Sequence, residues 1–138
     1  MQRDATIAPV PVQSGEGKQI KLKNVTSTHK ALGMATADAW GLLAYEAPPH
    51  FAGPPLHWHA TLEAFYVLEG VVTFRLGAHN FTAPAGAFVL VPPGALHTFA
   101  NRQEMPARFL LLVPPDEFAD SFSPGFSPAN RVSLPPPF

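Results

Sequence analysis

Between residues 54 and 113 the chain is punctuated every few residues by proline or glycine, and each piece between is a short apolar run. The pieces are LHWHA, EAFYVLEG, VVTFRLG, HNFTAPAG, AFVLVPP, ALHTFAN and ARFLLLV. Turn signals separate them at Glu69-Gly70, Gly77-Ala78, Pro84-Ala85-Gly86, Pro92-Pro93-Gly94 and Asn101-Arg102. Strand signals at a spacing of about eight to twelve residues, with little helical periodicity, predict an all-β barrel or double-sheet jelly roll. Upstream, QIKLKNV and GLLAYEA read as two further strands.

The chain has 138 residues, enough for one compact domain and too few for two. Residues 1–17, with Pro9, Pro11, Gly15 and Gly17, read as a flexible arm. Residues 18–113 form the barrel, and 114–138 a Pro- and Phe-rich C-terminal segment. In that segment Phe118, Phe122 and Phe126 recur at four-residue intervals, so residues 115–122 predict one or two helical turns ended by Pro124-Gly125. Such a helix either plugs the barrel or closes over it as a lid, and the final Leu-Pro-Pro-Pro-Phe is extended polyproline in type.

The formal charge is −1, so there is no field to draw nucleic acid or an anionic membrane. All four lysines, Lys18, Lys21, Lys23 and Lys30, fall near the first strand, as on a solvated edge protected from aggregation. Cysteine is absent, which removes disulfides, thiolate catalysis and zinc–thiolate sites. No apolar run reaches the length of a membrane span or a secretory leader, so the expected location is the cytoplasm.

Strand parity gives the directions of side chains. In EAFYVLE, Glu63, Phe65 and Val67 share one face, while Ala64, Tyr66 and Leu68 share the other. Both faces are apolar, so both need covering. The opposing sheet covers one, and a second subunit covers the other; charged residues are only 14% of the chain, in keeping with a homodimer.

Four residues carry the chemistry. His57 and His59 are two apart, so on an extended strand both imidazoles face the same way. Glu63 has the same parity and follows a short turn, and His97 lies beyond Pro92-Pro93-Gly94. A lone strand histidine is more often structural than a ligand, and His29, His50 and His79 are read as ordinary surface or loop residues. Four ligand-type residues at facing positions are harder to explain that way. Three imidazoles and a carboxylate suit one divalent transition metal ion, Fe, Mn, Ni, Co, Cu or Zn.

At these residues the sequence resembles the cupin superfamily. Its first motif, a glycine, HxH, a glutamate and a glycine, is matched by Gly53, His57-Trp58-His59, Glu63 and Gly70 over residues 53–70. Its second, over residues 86–101, is matched by Gly86, Pro92-Pro93-Gly94, His97 and Asn101. One departure is that three residues separate Gly53 from His57 where the family has five. The resemblance covers about residues 40–113 and implies a cupin double-stranded β-helix with His57, His59, Glu63 and His97 as metal ligands. Gly70, Gly86 and Gly94 are expected in turns of positive φ, and Asn101 as a hydrogen-bonding residue of a turn rather than a ligand.

Four protein ligands leave one or two coordination positions open, which fits catalysis better than a closed structural site. Glu63 is then either a ligand or the base that takes a proton from substrate. Phe65, Phe74, Phe88, Phe99 and Phe109 point to a dry interior and an apolar or aromatic substrate held by one or two oxygens. The first reading is a dioxygenase similar to the small quercetin-dioxygenase-like cupins. A metal-dependent isomerase or lyase is the second, and a non-catalytic small-molecule-binding cupin the third.

Overall fold

The computed structural model describes residues 12–22, 25–31 and 40–113. Nine strands account for the regular structure, and no helix occurs among the described residues. They are β1 (Lys18–Leu22), β2 (Val25–Ala31), β3 (Gly41–Ala47), β4 (Glu63–Glu69), β5 (Val71–Leu76), β6 (His79–Pro84), β7 (Phe88–Val91), β8 (His97–Ala100) and β9 (Ala107–Val113). A large sheet runs β1-β2-β3-β9-β4-β7 and a small one β6-β5-β8, with every pairing antiparallel. No described helix is long and apolar enough to cross a membrane.

Alternation builds the core. On β3 Leu43, Tyr45 and Ala47 are buried, on β4 Phe65 and Val67, and on β9 Ala107, Phe109, Leu111 and Val113. The small sheet adds Val72, Phe74 and Phe99. Aromatic rings lock the two sheets together: Phe65 of the large sheet lies 5.1 Å from Phe74 and 5.5 Å from Phe99 of the small one, centroid to centroid. Edge-to-face and tilted contacts at these distances add to the burial itself. Phe88 departs from expectation. It is 63% exposed on β7, because its parity matches Tyr66, opposite it on the outward side of β4.

Two other strand expectations are corrected. QIKLKNV is not one strand: β1 ends at Leu22 and the chain has turned back by Val25, where β2 begins. LHWHA forms no strand at all. Residues 51–57 run beside β8 but pair with it only at two isolated bridges, Phe51↔Asn101 and His57↔His97. Pro54-Pro55 have no N–H to donate, so the ladder cannot run through them. Between the bridges Gly53 sits at φ +85, and a Cβ there would lie 1.8 Å from the Phe99 carbonyl oxygen, so only glycine allows this approach.

The lysine-bearing β1 is an edge strand, as the charge pattern indicated. The end of the N-terminal arm is fastened, since the Lys30 ammonium donates to the carbonyls of Gln13 (3.0 Å) and Glu16 (2.7 Å). The helix expected over 115–122 and the polyproline tail lie outside the described residues.

Candidate metal centre

Three parts of the chain meet at one end of the core. His97 opens β8 of the small sheet, Glu63 opens β4 of the large sheet, and His57 and His59 come from the irregular segment between β3 and β4. His57 and His97 exchange backbone hydrogen bonds in both directions, at 3.1 and 2.8 Å. In an antiparallel pair this sets their side chains side by side, and the two rings lie 4.4 Å apart. His59 is held by the turn, whose Gly94 N–H donates to the His59 carbonyl at 2.7 Å. Gly94 has φ +81, Gly86 +91 and Gly70 +78, the positive values expected of these turns.

The three imidazoles each offer a nitrogen within 4.8 Å of the others, and all three residues are buried. His57 Nδ1 lies 2.7 Å from the Pro55 carbonyl and His97 Nδ1 lies 2.8 Å from the Ala95 carbonyl. A carbonyl only accepts, so Nδ1 carries the proton in both rings, and the Nε2 lone pairs are left for a cation. Both histidines use the carbonyl two residues before them, so the same local device orients an imidazole of β8 and one of the irregular segment. Glu63, also buried, divides its oxygens: Oε1 is 3.2 Å from His97 Nε2 and Oε2 is 3.3 Å from His59 Nε2.

This donor set fits a divalent transition metal. A carboxylate oxygen cannot donate to a bare Nε2 lone pair unless a proton lies between them, and a cation at that point takes the proton's place. The structure therefore brings all four expected residues together, with the histidines as the converging triad and Glu63 beside two of them.

The remaining expectations separate cleanly. Asn101 is structural: its Nδ2 donates to the carbonyls of Pro48 (3.0 Å) and Met105 (2.8 Å), and its Oδ1 accepts from the Gln103 N–H (3.0 Å). His50 and His79 are exposed. His29 lies inside β2 and is half-buried, not on a loop, and burial first and Lys18 second lower its pKa. Glu69 is solvated and pairs with Arg108 at 3.5 Å.

One interior polar residue was not singled out from sequence. Tyr45 is buried on β3, stacked on Phe109 at 5.2 Å. Burial, and then the charge of Glu63, push its phenol far above the usual range, so it stays a donor and cannot serve as a base. The signal was present in GLLAYEA, where Tyr45 shares parity with Leu43 and Ala47.

The family model described as "Cupin domain" matches residues 44–113, which is 70 of the 138 residues. The chain belongs to the cupin family. No curated protein matches it in sequence. Among solved structures, this cupin is similar to the polyketide cyclase RemF from Streptomyces resistomycificus, at 24% identity and a TM-score of 0.69, over 78% of this chain and 80% of that one. It is similar to a predicted oxalate decarboxylase from Thermotoga maritima, at 21% identity and a TM-score of 0.71, over 77% and 99%. It is also similar to KdgF from Halomonas sp., at 13% identity and a TM-score of 0.65, over 78% and 94%. At these identities the likeness speaks for the fold.

Proposed function

We propose that this cupin is a metal-dependent enzyme acting on a small, largely apolar, oxygenated substrate. The observation that carries the reading is the convergence of His57, His59 and His97 with their tautomers set by backbone carbonyls, beside the buried carboxylate of Glu63. On a five- or six-coordinate metal, three histidines with an adaptable carboxylate would leave one or two positions for exogenous oxygen donors, which fits catalysis better than a closed structural site.

When bound, the metal supplies Lewis acidity and, if it is redox-active, the electron transfers that oxygenation needs. The chain's own residues do the rest. His57, His59 and His97 hold the cation, and the Pro55 and Ala95 carbonyls keep two of the rings from turning. Glu63 takes a proton from a substrate hydroxyl or enol at one of its carboxylate oxygens. Phe65 and Phe99, buried two residues beyond Glu63 and His97 on the same strands, would keep that side of the site dry and strengthen the electrostatics of the transfer.

Dioxygenase turnover is the first branch of this reading. The non-redox branch, an isomerase, lyase or cyclase, is favoured by the likeness to the polyketide cyclase and the predicted oxalate decarboxylase. Elemental analysis of protein purified without chelator, beside His57→Ala and His97→Ala, tests the common part. Near-stoichiometric metal in the wild type, lost from both variants, is expected; no metal after reconstitution would leave a barrel that binds ligand by shape alone. Loaded protein is then assayed with flavonols, catechols and diketones. Oxygen consumption selects the first branch, and product formed under strict anaerobiosis selects the second.

A further inference from the structure

The inward face of the large sheet carries a second group of polar side chains apart from the histidine triad. On β4, β7 and β9 that face is apolar except for Glu63, yet on β1, β2 and β3 it also bears Lys18, Ser27, His29 and Tyr45. Register makes these four one block. Lys18 stands opposite His29, and in the neighbouring row Ser27 stands opposite Tyr45. The two rows run on through Leu43 and Phe109 to Phe65 and Val67, on the strand that Glu63 opens. Gly17 sets the outer end of the block. A Cβ there would lie 2.5 Å from the His29 carbonyl oxygen, so only glycine lets β1 begin this close to β2.

The block grades from solvent to interior. Lys18 is exposed, His29 half-buried, and Ser27 and Tyr45 are buried. Tyr45 marks the inner end, where its ring meets Phe99 edge-on at 6.3 Å, two residues beyond His97 on β8. The Ser27 Oγ is sealed from solvent and completes no hydrogen bond among the described residues; the polar group it leans on is the Tyr45 phenol. A buried hydroxyl short of a partner is costly, and an oxygen of a bound molecule would supply one. All four side chains can donate: an ammonium, an imidazole N–H and two hydroxyls. Charge differs along the block, with Lys18 positive at the outer end and the negative charge of Glu63 felt at Tyr45. An ionised acid is therefore favoured at the outer end and a neutral oxygen at the inner one.

We propose that Lys18, His29, Ser27 and Tyr45 form a subsite for a hydroxy- or keto-carboxylic acid. Its carboxylate pairs with Lys18 beside His29, and its neutral oxygen accepts from Ser27 and Tyr45. The enzyme reading above enters at one point only, in making the molecule held here the substrate presented to the metal. A phosphate-rich ligand would draw on several cations. Lys18 is the one lysine of the block: Lys21, paired with Thr26, belongs to the other face, and the Lys30 ammonium is tied to the Gln13 and Glu16 carbonyls. Packing alone does not call for four polar residues here, since β4 and β9 fill the same rows with Phe65, Val67, Phe109 and Leu111.

Fluorine NMR titration of the full chain, as purified and again after chelation, tests the proposal. The probes are meta-fluoro-para-hydroxybenzoate and ortho-fluorophenol, which lacks the carboxylate. The chelated sample reads the subsite without any metal, and elemental analysis still tests the metal centre, so either idea can fail alone. The hydroxybenzoate binds chelated protein at about 1 mM, the weak range of a single small ring, and the fluorophenol about fivefold more weakly. Lys18→Met removes that difference, so the two probes bind alike. Tyr45→Phe weakens both about threefold. Lys21→Met, on the same strand but the opposite face, changes neither. Variants are checked for folding by circular dichroism, and if Tyr45→Phe does not fold, Ser27→Ala carries the same expectation. No hydroxybenzoate binding to chelated protein below about 20 mM overturns the proposal. So does a preference for the carboxylate that survives Lys18→Met, or one that Lys21→Met reduces equally, or binding indifferent to Tyr45 and Ser27.

Discussion

Glu63 is the only carboxylate among the described residues that lies against the histidine triad, and its two oxygens face different rings. Glu63→Gln keeps the shape of the side chain but removes its charge and its capacity to take a proton. Metal affinity should fall about 10–100-fold, as when a ligand's charged neighbour is lost. Turnover should fall about 10²–10⁴-fold, the usual contribution of a positioned base. Equilibrium dialysis and steady-state kinetics on the same preparations measure the two separately, and unchanged turnover at saturating metal would remove Glu63 from the chemistry. Asn101 makes the opposite kind of contribution. It is buried and gathers the β3–β4 and β8–β9 loops by hydrogen bonds to Pro48, Met105 and Gln103. Asn101→Ala strands those partners, so stability should drop by about 3 kcal/mol, read as a shift in the urea midpoint. Metal affinity per folded molecule should change little, because none of those bonds touches an imidazole.

At the level of elements, the strands whose alternation is strict were legible: β3, β4 and β9 start and stop where GLLAYEA, EAFYVLE and ARFLLLV do. What failed has a common cause. QIKLKNV hides a reversal within an alternating run, and LHWHA is extended but denied a ladder by the prolines before it. Alternation reports the direction of side chains and is silent on backbone pairing. The candidate ligands were still legible because convergence needs only direction, whereas the Pro55 and Ala95 carbonyls that fix the tautomers are backbone groups with no residue signature. The β1–β2 hairpin carries a prediction of its own. His29 stands opposite Lys18, and burial, with that charge, lowers its pKa from the ordinary value of 6.5. As pH falls through the ordinary value, the unfolded chain takes up a proton that the folded hairpin resists, so stability declines toward acid. Above the ordinary value both states are neutral and the contribution vanishes. Urea midpoints of metal-free protein between about pH 7 and about pH 5 should fall less steeply in His29→Gln than in the wild type. Parallel curves would show that the hairpin is not a source of acid sensitivity.

For the whole molecule, the candidate centre is a joint. Its residues come from the small sheet at His97, from the large sheet at Glu63, and from the segment that bridges them at His57 and His59. Unfolding separates all three, so an ion held there binds the folded chain and has no comparable site in the unfolded one. Linkage then makes thermal stability a measure of the site. At a free metal concentration about 100 times its Kd the folded state gains about 2.7 kcal/mol, which for a chain of this size raises Tm by about 10 °C. Chelator should return Tm to the metal-free value, and the rise should grow with the logarithm of metal concentration rather than saturate. In His97→Ala the rise should be absent, because that substitution removes the small sheet's only ligand and with it the connection between sheets. His50→Ala should keep the full rise, since His50 is exposed and pairs with Glu104 outside the triad. A rise that survives His97→Ala but is lost in His50→Ala would put the stabilising ion at the surface pair and leave the buried triad without metal.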